Sequence, residues 1–142
     1  MKMQVNLERV NDAVLFKAEN DSGNKISIDG SDKIGGIDGG FRPMQLLLAG
    51  IGGCSAMDAV SILKKQKQDL KGVKIVITGA REKDKTPSVF THIHLHYILS
   101  GDLDEKKVGR ALHLAVDVYC SAGEMLGKTA KITHDFEING VT

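Results

Sequence analysis

The sequence predicts an α+β fold, because segments with the two-residue period of β-strands are separated by two long segments of helical character. One helical segment, residues 46–63, is apolar or small throughout, with Asp58 as its only charge. Strict alternation over residues 3–9 and 129–138 is typical of half-buried strands. We therefore predict an N-terminal β-meander, a long buried central helix, a second β-hairpin, a second helix and a final strand.

Size and charge limit the class of protein. The chain has 142 residues, of which 42% are hydrophobic and 26% charged, which is typical of a single domain over residues 1–142 with its own core. A net charge of +1 and the absence of tryptophan argue against a nucleic-acid binder or a binder of acidic membranes. The N-terminal residues lack the uninterrupted apolar core of a signal peptide, so we expect a cytoplasmic location.

Three strands are predicted before the central helix. Residues 3–9 and 13–19 alternate and are joined by an Asn-Asp turn, so they form a hairpin, and residues 25–29 add a third strand. Residues 30–40 contain five glycines and form a loop. The loop is either a mobile connector or a rim over the entrance to the central helix, and both interpretations remain open.

The central helix should begin near Pro43, because proline suits the first helical turn. Its apolar and small residues occupy nearly every face, which predicts a helix enclosed by the rest of the fold. A membrane span is disfavoured by Asp58 and by three closely spaced glycines, which suit close packing. Cys54 follows those glycines, which either leave room to reach its sulfur or serve helix packing alone.

A second β-hairpin is predicted from residues 73–80 and 88–99, with a loop around Thr86-Pro87. His92, His94 and His96 share one face of the latter strand. They could bind a metal ion, but positions on one strand face are about 6–7 Å apart and do not converge easily. A polar sheet face is the favoured interpretation, and the core-facing residues are then Ile93, Leu95, Tyr97 and Leu99.

The second helix should begin at Asp102, which has the spacing of a capping box with Glu105. Apolar residues then recur at three- and four-residue intervals at Val108, Leu112, Ala115, Val116 and Tyr119. This helix leads into Cys120 and ends near residues 121–123, and residues 124–127 form one more turn. The final strand, residues 129–138, puts one alternating set on a single face: Ala130, Ile132, His134, Phe136 and Ile138.

Two cysteines in a chain of this size are most simply reduced, buried thiols. However, RPMQLLLAGIGGCSAMDAVSILKK at residues 42–65, together with VDVYCSAGEML at 116–126, resembles the OsmC/Ohr family of osmotically inducible and organic hydroperoxide resistance proteins. The Gly-Gly-Cys-Ser sequence at 52–55 is similar to that of OsmC-like members. The resemblance implies an OsmC-like fold in an intertwined homodimer, and the composition already argues against nucleic-acid and membrane partners.

The resemblance also implies a thiol peroxidase that acts on organic hydroperoxides or hydrogen peroxide. In that chemistry Cys54 attacks the peroxide and becomes a sulfenic acid, and Cys120 resolves it as a disulfide. A dithiol or lipoylated reductant then restores the thiols, and no metal or organic cofactor is implied. An arginine usually favours the thiolate, and the candidates here are Arg9 and Arg42.

Met44 and Ser121 depart from the family pattern, in which a proline often follows the second cysteine, and Asp58 is an electrostatic obstacle to thiolate formation. Met44 occupies the position after the proline where family peroxidases have a glutamate that orients the arginine. Asp58 lies four residues after Cys54 on the same helix face, where its charge would raise the pKa of a nearby thiol. The alternative hypothesis is therefore an OsmC-like binding or redox-sensing protein with little peroxidase turnover.

Overall fold

Two three-stranded sheets and three helices make up the structure, a computed structural model that describes all 142 residues. The predicted α+β fold class is confirmed. The chain divides into two compact units, Met1–Leu47 and Leu48–Thr142.

The first unit contains the predicted β-meander. Strands β1 (Val5–Arg9), β2 (Phe16–Asn20) and β3 (Lys25–Ile28) pair antiparallel in that order. Asn11 shapes the turn between β1 and β2, because its side-chain oxygen accepts hydrogen bonds from two backbone N–H groups further along the turn.

The loop over residues 30–40 is built around the buried carboxylate of Asp29, which is 2% exposed. Its oxygens accept backbone hydrogen bonds from Gly39 (2.9 Å), Ile37 (3.0 Å) and Gly30 (2.8 Å). Those hydrogen bonds, that of Gly39 above all, hold the pKa of Asp29 below its ordinary value. The loop also contains a short 3₁₀ helix, Asp32–Ile34, so it is a hydrogen-bonded structure in its own right.

Helix α1 (Pro43–Lys65) begins where the sequence predicted. The Gln45 side chain accepts a hydrogen bond from the backbone N–H of Arg42 (2.9 Å), which satisfies one of the free donors at this end. Within a single chain the helix is buried along one face only, where the sequence predicted enclosure on nearly every face. The buried residues are Ile51, Gly52, Ser55, Ala59 and Leu63.

The same helix is long and apolar enough to cross a membrane by length and composition alone. A core helix of a soluble protein meets that criterion equally well. Gly52 lies so close to the Ile77 side chain of the sheet that an added Cβ would be 2.7 Å from Ile77 Cδ1. This packing against a sheet favours the core-helix interpretation.

The second sheet has the strand order β4 (Asp69–Arg81), β5 (Phe90–Asp102) and β6 (Lys131–Ile138). Strands β4 and β5 form the predicted hairpin, and β6 pairs parallel to β5. The predicted core-facing residues of β5 are confirmed as buried: Ile93, Leu95, Tyr97 and Leu99.

Helix α2 (Glu105–His113) is capped by Asp104, whose Oδ2 accepts a hydrogen bond from the Lys107 backbone N–H at 3.1 Å. The prediction of Asp102 as the cap is wrong, because strand β5 continues through Asp102, which pairs with Asp69. After α2 come a π-helical turn (Leu114–Val118) and a short helix, α3 (Ser121–Leu126).

Candidate thiol site

The structure brings the two predicted cysteines together. Cys54 lies in the middle of α1 and is half-buried, whereas Cys120 is 4% exposed and occupies the N-cap position of α3. The Cys120 sulfur accepts a hydrogen bond from the Gly123 backbone N–H at 3.1 Å and lies 4.0 Å from the carbonyl oxygen of Ile51 on α1. Both cysteines are free thiols.

Burial decides the protonation of Cys120. It raises the pKa of this thiol from 9.0 to about 11, because the thiolate would lose its hydration. The Gly123 N–H opposes that change, while the neighbouring Cys54 side chain raises the pKa further by hydrogen bonding and charge. Cys120 is therefore held as the neutral thiol while Cys54 is reduced.

A buried hydroxyl pair lies beside the two thiols. Ser55 Oγ and the Tyr97 hydroxyl are 2.6 Å apart, and Ser55 Oγ also donates to the carbonyl oxygen of Gly52 at 3.2 Å. Burial raises the pKa of Tyr97, the Ser55 hydrogen bond opposes it, and charges on Cys120, Asp58 and Cys54 raise it further.

Sequence reasoning placed Tyr97 in the core but missed this pair. The available signal was chemical, because a tyrosine predicted to be buried requires a hydrogen-bond partner for its hydroxyl. The identity of that partner depends on how helix α1 meets strand β5, which local patterns do not specify.

The glycines before Cys54 have different surroundings. Gly52 allows close packing of α1 on Ile77. Gly50 and Gly53 face open space, since an added Cβ at either would meet nothing within 4 Å. Helix packing therefore accounts for Gly52, and the surface of α1 at Gly50 and Gly53 is uncovered within one chain.

The two candidate arginines both lie in the first unit. Arg9 ends β1 and is exposed, while Arg42 precedes α1 with its Nη1 atom 3.7 Å from Asp38 Oδ1. Asp38 was not singled out in the sequence. Met44, half-buried in the first turn of α1, offers no carboxylate. Activation of Cys54 by either arginine stays a prediction.

The histidine stripe forms a hydrogen-bonded ladder on one sheet face. His92 and His94 share Thr133 Oγ1 at 2.8 and 2.6 Å, and His94 and His96 share Asp135 Oδ1 at 2.9 and 2.7 Å. The hydrogen bond to Asp135 raises the pKa of His96. The interpretation as a polar, partly exposed face is confirmed. No group of three or more histidine, cysteine or acidic residues is placed to hold a metal ion.

A half-buried helical cysteine beside a second, helix-capping cysteine in an α+β fold defines a dithiol protein. The chain belongs to the OsmC family, since the family profile described as "OsmC-like protein" matches residues 35–135. It is similar to protein YhfA of Escherichia coli strain K12, with 40% identity over 128 residues that cover 89% of this chain and 92% of YhfA. The predicted resemblance is thereby confirmed.

Solved structures agree with this assignment. A hypothetical protein of Aquifex aeolicus VF5 is 31% identical, with a TM-score of 0.80 over 98% of each chain. OsmC of Legionella pneumophila, an organic hydroperoxide resistance protein, is 16% identical, with a TM-score of 0.73 over 96% of this chain and 97% of its own. At that identity the second comparison shows the shared fold alone.

Proposed function

We propose that this protein is a cysteine-based peroxidase that reduces organic hydroperoxides or hydrogen peroxide in oxidative-stress defence. The observation that carries the proposal is the pairing of a half-buried Cys54 with a buried Cys120. A thiol accessible to peroxide and a second thiol protected beside it are the two parts that this chemistry needs. Organic hydroperoxide resistance among proteins of the same fold adds support.

In the first step the Cys54 thiolate attacks the distal peroxide oxygen. An S–O bond forms, the O–O bond breaks, and the alcohol or water leaves after taking up a proton. In the second step Cys120 attacks the sulfenic sulfur, so that an S–S bond forms and water leaves. An external dithiol or lipoylated reductant then accepts the disulfide by exchange and restores both thiols.

The environment of Cys120 suits this order of events. With a pKa of about 11, on the order of one Cys120 in 10⁴ is ionised at pH 7, so it does not compete for peroxide. Conversion of Cys54 to a neutral sulfenic acid removes the thiolate charge that opposes ionisation of Cys120. The resolving thiol therefore becomes easier to ionise after the first step.

The proposal includes a homodimer in a cytoplasmic setting. A peroxidase that cycles between a dithiol and a disulfide needs a compartment that supplies reductant. The apolar residues on the uncovered faces of α1 support a second copy as the partner, as the resemblance implies. We propose that residues 1–142 act as one domain, since the family profile runs across the boundary between the two compact units.

Counting free thiols tests the chemistry. One equivalent of cumene hydroperoxide added to the reduced protein should remove two thiols per chain and yield a Cys54–Cys120 disulfide. The Cys54→Ser variant should lose none, and Cys120→Ser should lose one and accumulate a sulfenic acid that dimedone traps. Retention of both thiols in the wild-type protein would sink the proposal.

The second candidate is a binding or redox-sensing protein with little turnover, which Met44 favours because no carboxylate follows Pro43. A steady-state assay with cumene hydroperoxide and a lipoylated reductant discriminates the two. Stoichiometric disulfide formation without turnover indicates a sensor, and a retained apolar ligand in native mass spectrometry indicates a binding protein.

Substitution of each arginine tests its assignment. Arg9→Met and Arg42→Met keep much of the side-chain length and remove the charge. We expect one of them to slow the reaction of Cys54 with peroxide, because loss of a nearby cation disfavours the thiolate. Unchanged rates in both variants would remove Arg9 and Arg42 from the mechanism.

A further inference from the structure

The π-helical turn at Leu114–Val118 changes which residue faces the thiol site. Continued helical spacing from Val108 predicts that Tyr119 lies on the buried face. Instead Tyr119 is 58% exposed and ends the helical path, and Cys120, which follows it with an extended backbone (φ −72°, ψ 108°), is buried. The cause is a hydrogen bond from the Tyr119 backbone N–H to the Leu114 carbonyl oxygen (2.9 Å), which spans five residues where an α-helix spans four.

The extra residue in this turn has a definite geometric effect. It rotates the end of the helix at Tyr119, and with it the extended segment at Cys120, by about 100° about the helix axis and moves both by about 1.5 Å along that axis. If the turn relaxed to α-helical geometry, Tyr119 would occupy the buried face and Cys120 would turn away from it. The approach of Cys120 to Cys54 therefore depends on the π turn.

Asp117 ties this turn to the neighbouring elements. Its Oδ2 accepts hydrogen bonds from His113 Nδ1 in α2 at 2.9 Å and from His134 Nε2 in β6 at 3.0 Å. His134 Nδ1 is buried without a partner, so the proton of a neutral His134 belongs on Nε2, where it is donated to Asp117. A single carboxylate oxygen thus joins the turn to both the preceding helix and the sheet.

We propose that Asp117 is a positioning residue for Cys120: by bonding His113 and His134 it maintains the π turn that directs the Cys120 thiol at Cys54. The inference rests on the proposed function, in which Cys120 attacks the Cys54 sulfenic acid and water leaves. Asp117 itself touches neither sulfur nor substrate. Its loss should slow disulfide formation and leave the first oxidation of Cys54 unchanged.

The chain offers a closely matched control in Asp135. Its Oδ1 also accepts hydrogen bonds from two histidines, His94 and His96. Asp135 neighbours His134 on β6, so it points to the opposite sheet face and has no connection to the π turn. Asp117→Ala and Asp135→Ala therefore each remove a carboxylate oxygen that accepts hydrogen bonds from two histidines, one at the π turn and one away from it.

Diamide oxidises the two thiols to a disulfide without a peroxide, because it accepts the two electrons and two protons that they lose. The rate of disulfide formation can therefore be measured separately from the reaction with peroxide. We expect Asp117→Ala to form the Cys54–Cys120 disulfide roughly tenfold or more slowly, since small misplacement of reacting groups has large effects on rate. Asp135→Ala should match the wild-type protein. Asp117→Asn should restore much of the rate, because one oxygen accepts both hydrogen bonds and the amide oxygen can do the same.

The first oxidation step is measured separately in a Cys120→Ser background, where dimedone traps the Cys54 sulfenic acid. Asp117→Ala should leave its rate of formation unchanged. If Asp117→Ala fails to fold, the exposed His113→Ala variant removes one of the two hydrogen bonds and should give a smaller slowing of disulfide formation.

Some outcomes would overturn the positioning role. The first is an unchanged diamide rate in Asp117→Ala, or in His113→Ala if that variant has to replace it. The second is equal slowing in Asp117→Ala and Asp135→Ala. The third is absence of the disulfide in the oxidised wild-type protein. A wild-type protein that forms the disulfide with diamide but not with cumene hydroperoxide would contradict the proposed peroxidase and leave the role of Asp117 standing.

Discussion

Cys120 combines two environments that act in opposite directions. As an N-cap it accepts a hydrogen bond from Gly123, which favours the thiolate, yet its burial raises the pKa to about 11. Burial has the larger effect because the backbone N–H groups of Gly123 and Ala122 replace only part of the lost hydration. Loss of hydration thus keeps the resolving thiol protonated, and oxidation of Cys54 makes it easier to ionise.

Replacing Cys54 should lower the pKa of Cys120. In Cys54→Ser the neighbouring thiolate charge is gone, so the pKa should fall below about 11, and it should stay above 9.0 because burial remains. The pH dependence of Cys120 alkylation by iodoacetamide, followed by mass spectrometry, gives the midpoint in each protein. An identical midpoint in the wild type and the variant would contradict the coupling of the two thiols.

The raised pKa of Cys120 makes the stability of the folded protein depend on pH. Since the folded pKa lies above the unfolded one, the contribution of Cys120 to stability is complete below pH 9 and is lost as the pH rises towards about 11. Unfolding in guanidinium over this range should show a steeper loss of stability for the wild type than for Cys120→Ala. Parallel curves would argue against a raised pKa.

The Ser55–Tyr97 pair predicts unequal costs for its two members. Tyr97→Phe leaves Ser55 bonded to the Gly52 carbonyl and should cost about 0.5–1.5 kcal/mol. Ser55→Ala leaves the buried Tyr97 hydroxyl without a partner and should cost about 1–3 kcal/mol. Denaturant unfolding measures both, and Ser61→Ala at an exposed position of α1 corrects for the helix propensity of alanine. A larger cost for Tyr97→Phe would contradict this account.

At the scale of elements, local signals predicted the beginning of α1 and missed that of α2. Pro43 has a local meaning, since its fixed backbone angle and missing N–H suit a first turn, and α1 begins there. The Asp102–Glu105 spacing was misleading, because the ladder between β4 and β5 extends through Asp102 and leaves Asp104 to cap α2. Strand length is decided by the pairing partner, which local spacing does not reveal.

The stability of two variants tests which aspartate caps α2. Asp104→Ala removes the hydrogen bond to the Lys107 N–H and should destabilise the protein by about 1 kcal/mol. Asp102→Ala, at the exposed end of β5, should change stability by less than about 0.5 kcal/mol. Urea denaturation compares the two variants, and the reverse order of costs would restore Asp102 as the cap.

At the scale of the molecule, the fold was predictable and the geometry of the site only in part. Alternation and apolar runs specify the order of elements, and the resemblance to OsmC-like proteins paired Cys54 with Cys120. The parallel pairing of β6 and the partner of Tyr97 arise from contacts between distant segments. The π turn escaped prediction because the spacing from Val108 to Tyr119 fits an unbroken α-helix equally well.

The uncovered apolar surface predicts how the molecule assembles. Met57 on α1 is 75% exposed, and other large apolar side chains of the second unit are exposed too: Val60, Val118, Tyr119 and Met125. We expect a dimer in sedimentation experiments at micromolar concentration, because a second copy would remove the α1 surface from water.

Met57→Glu should weaken that dimer by about a hundredfold or more, since a buried unpaired charge costs several kcal/mol. Val76→Glu supplies the matched control. Val76 pairs with His96 across β4 and β5, so it shares the polar histidine face, where a carboxylate remains in water. Equal weakening by both substitutions would show that the subunits do not meet along α1, whereas loss with Met57→Glu alone places the helix that carries Cys54 at the dimer interface.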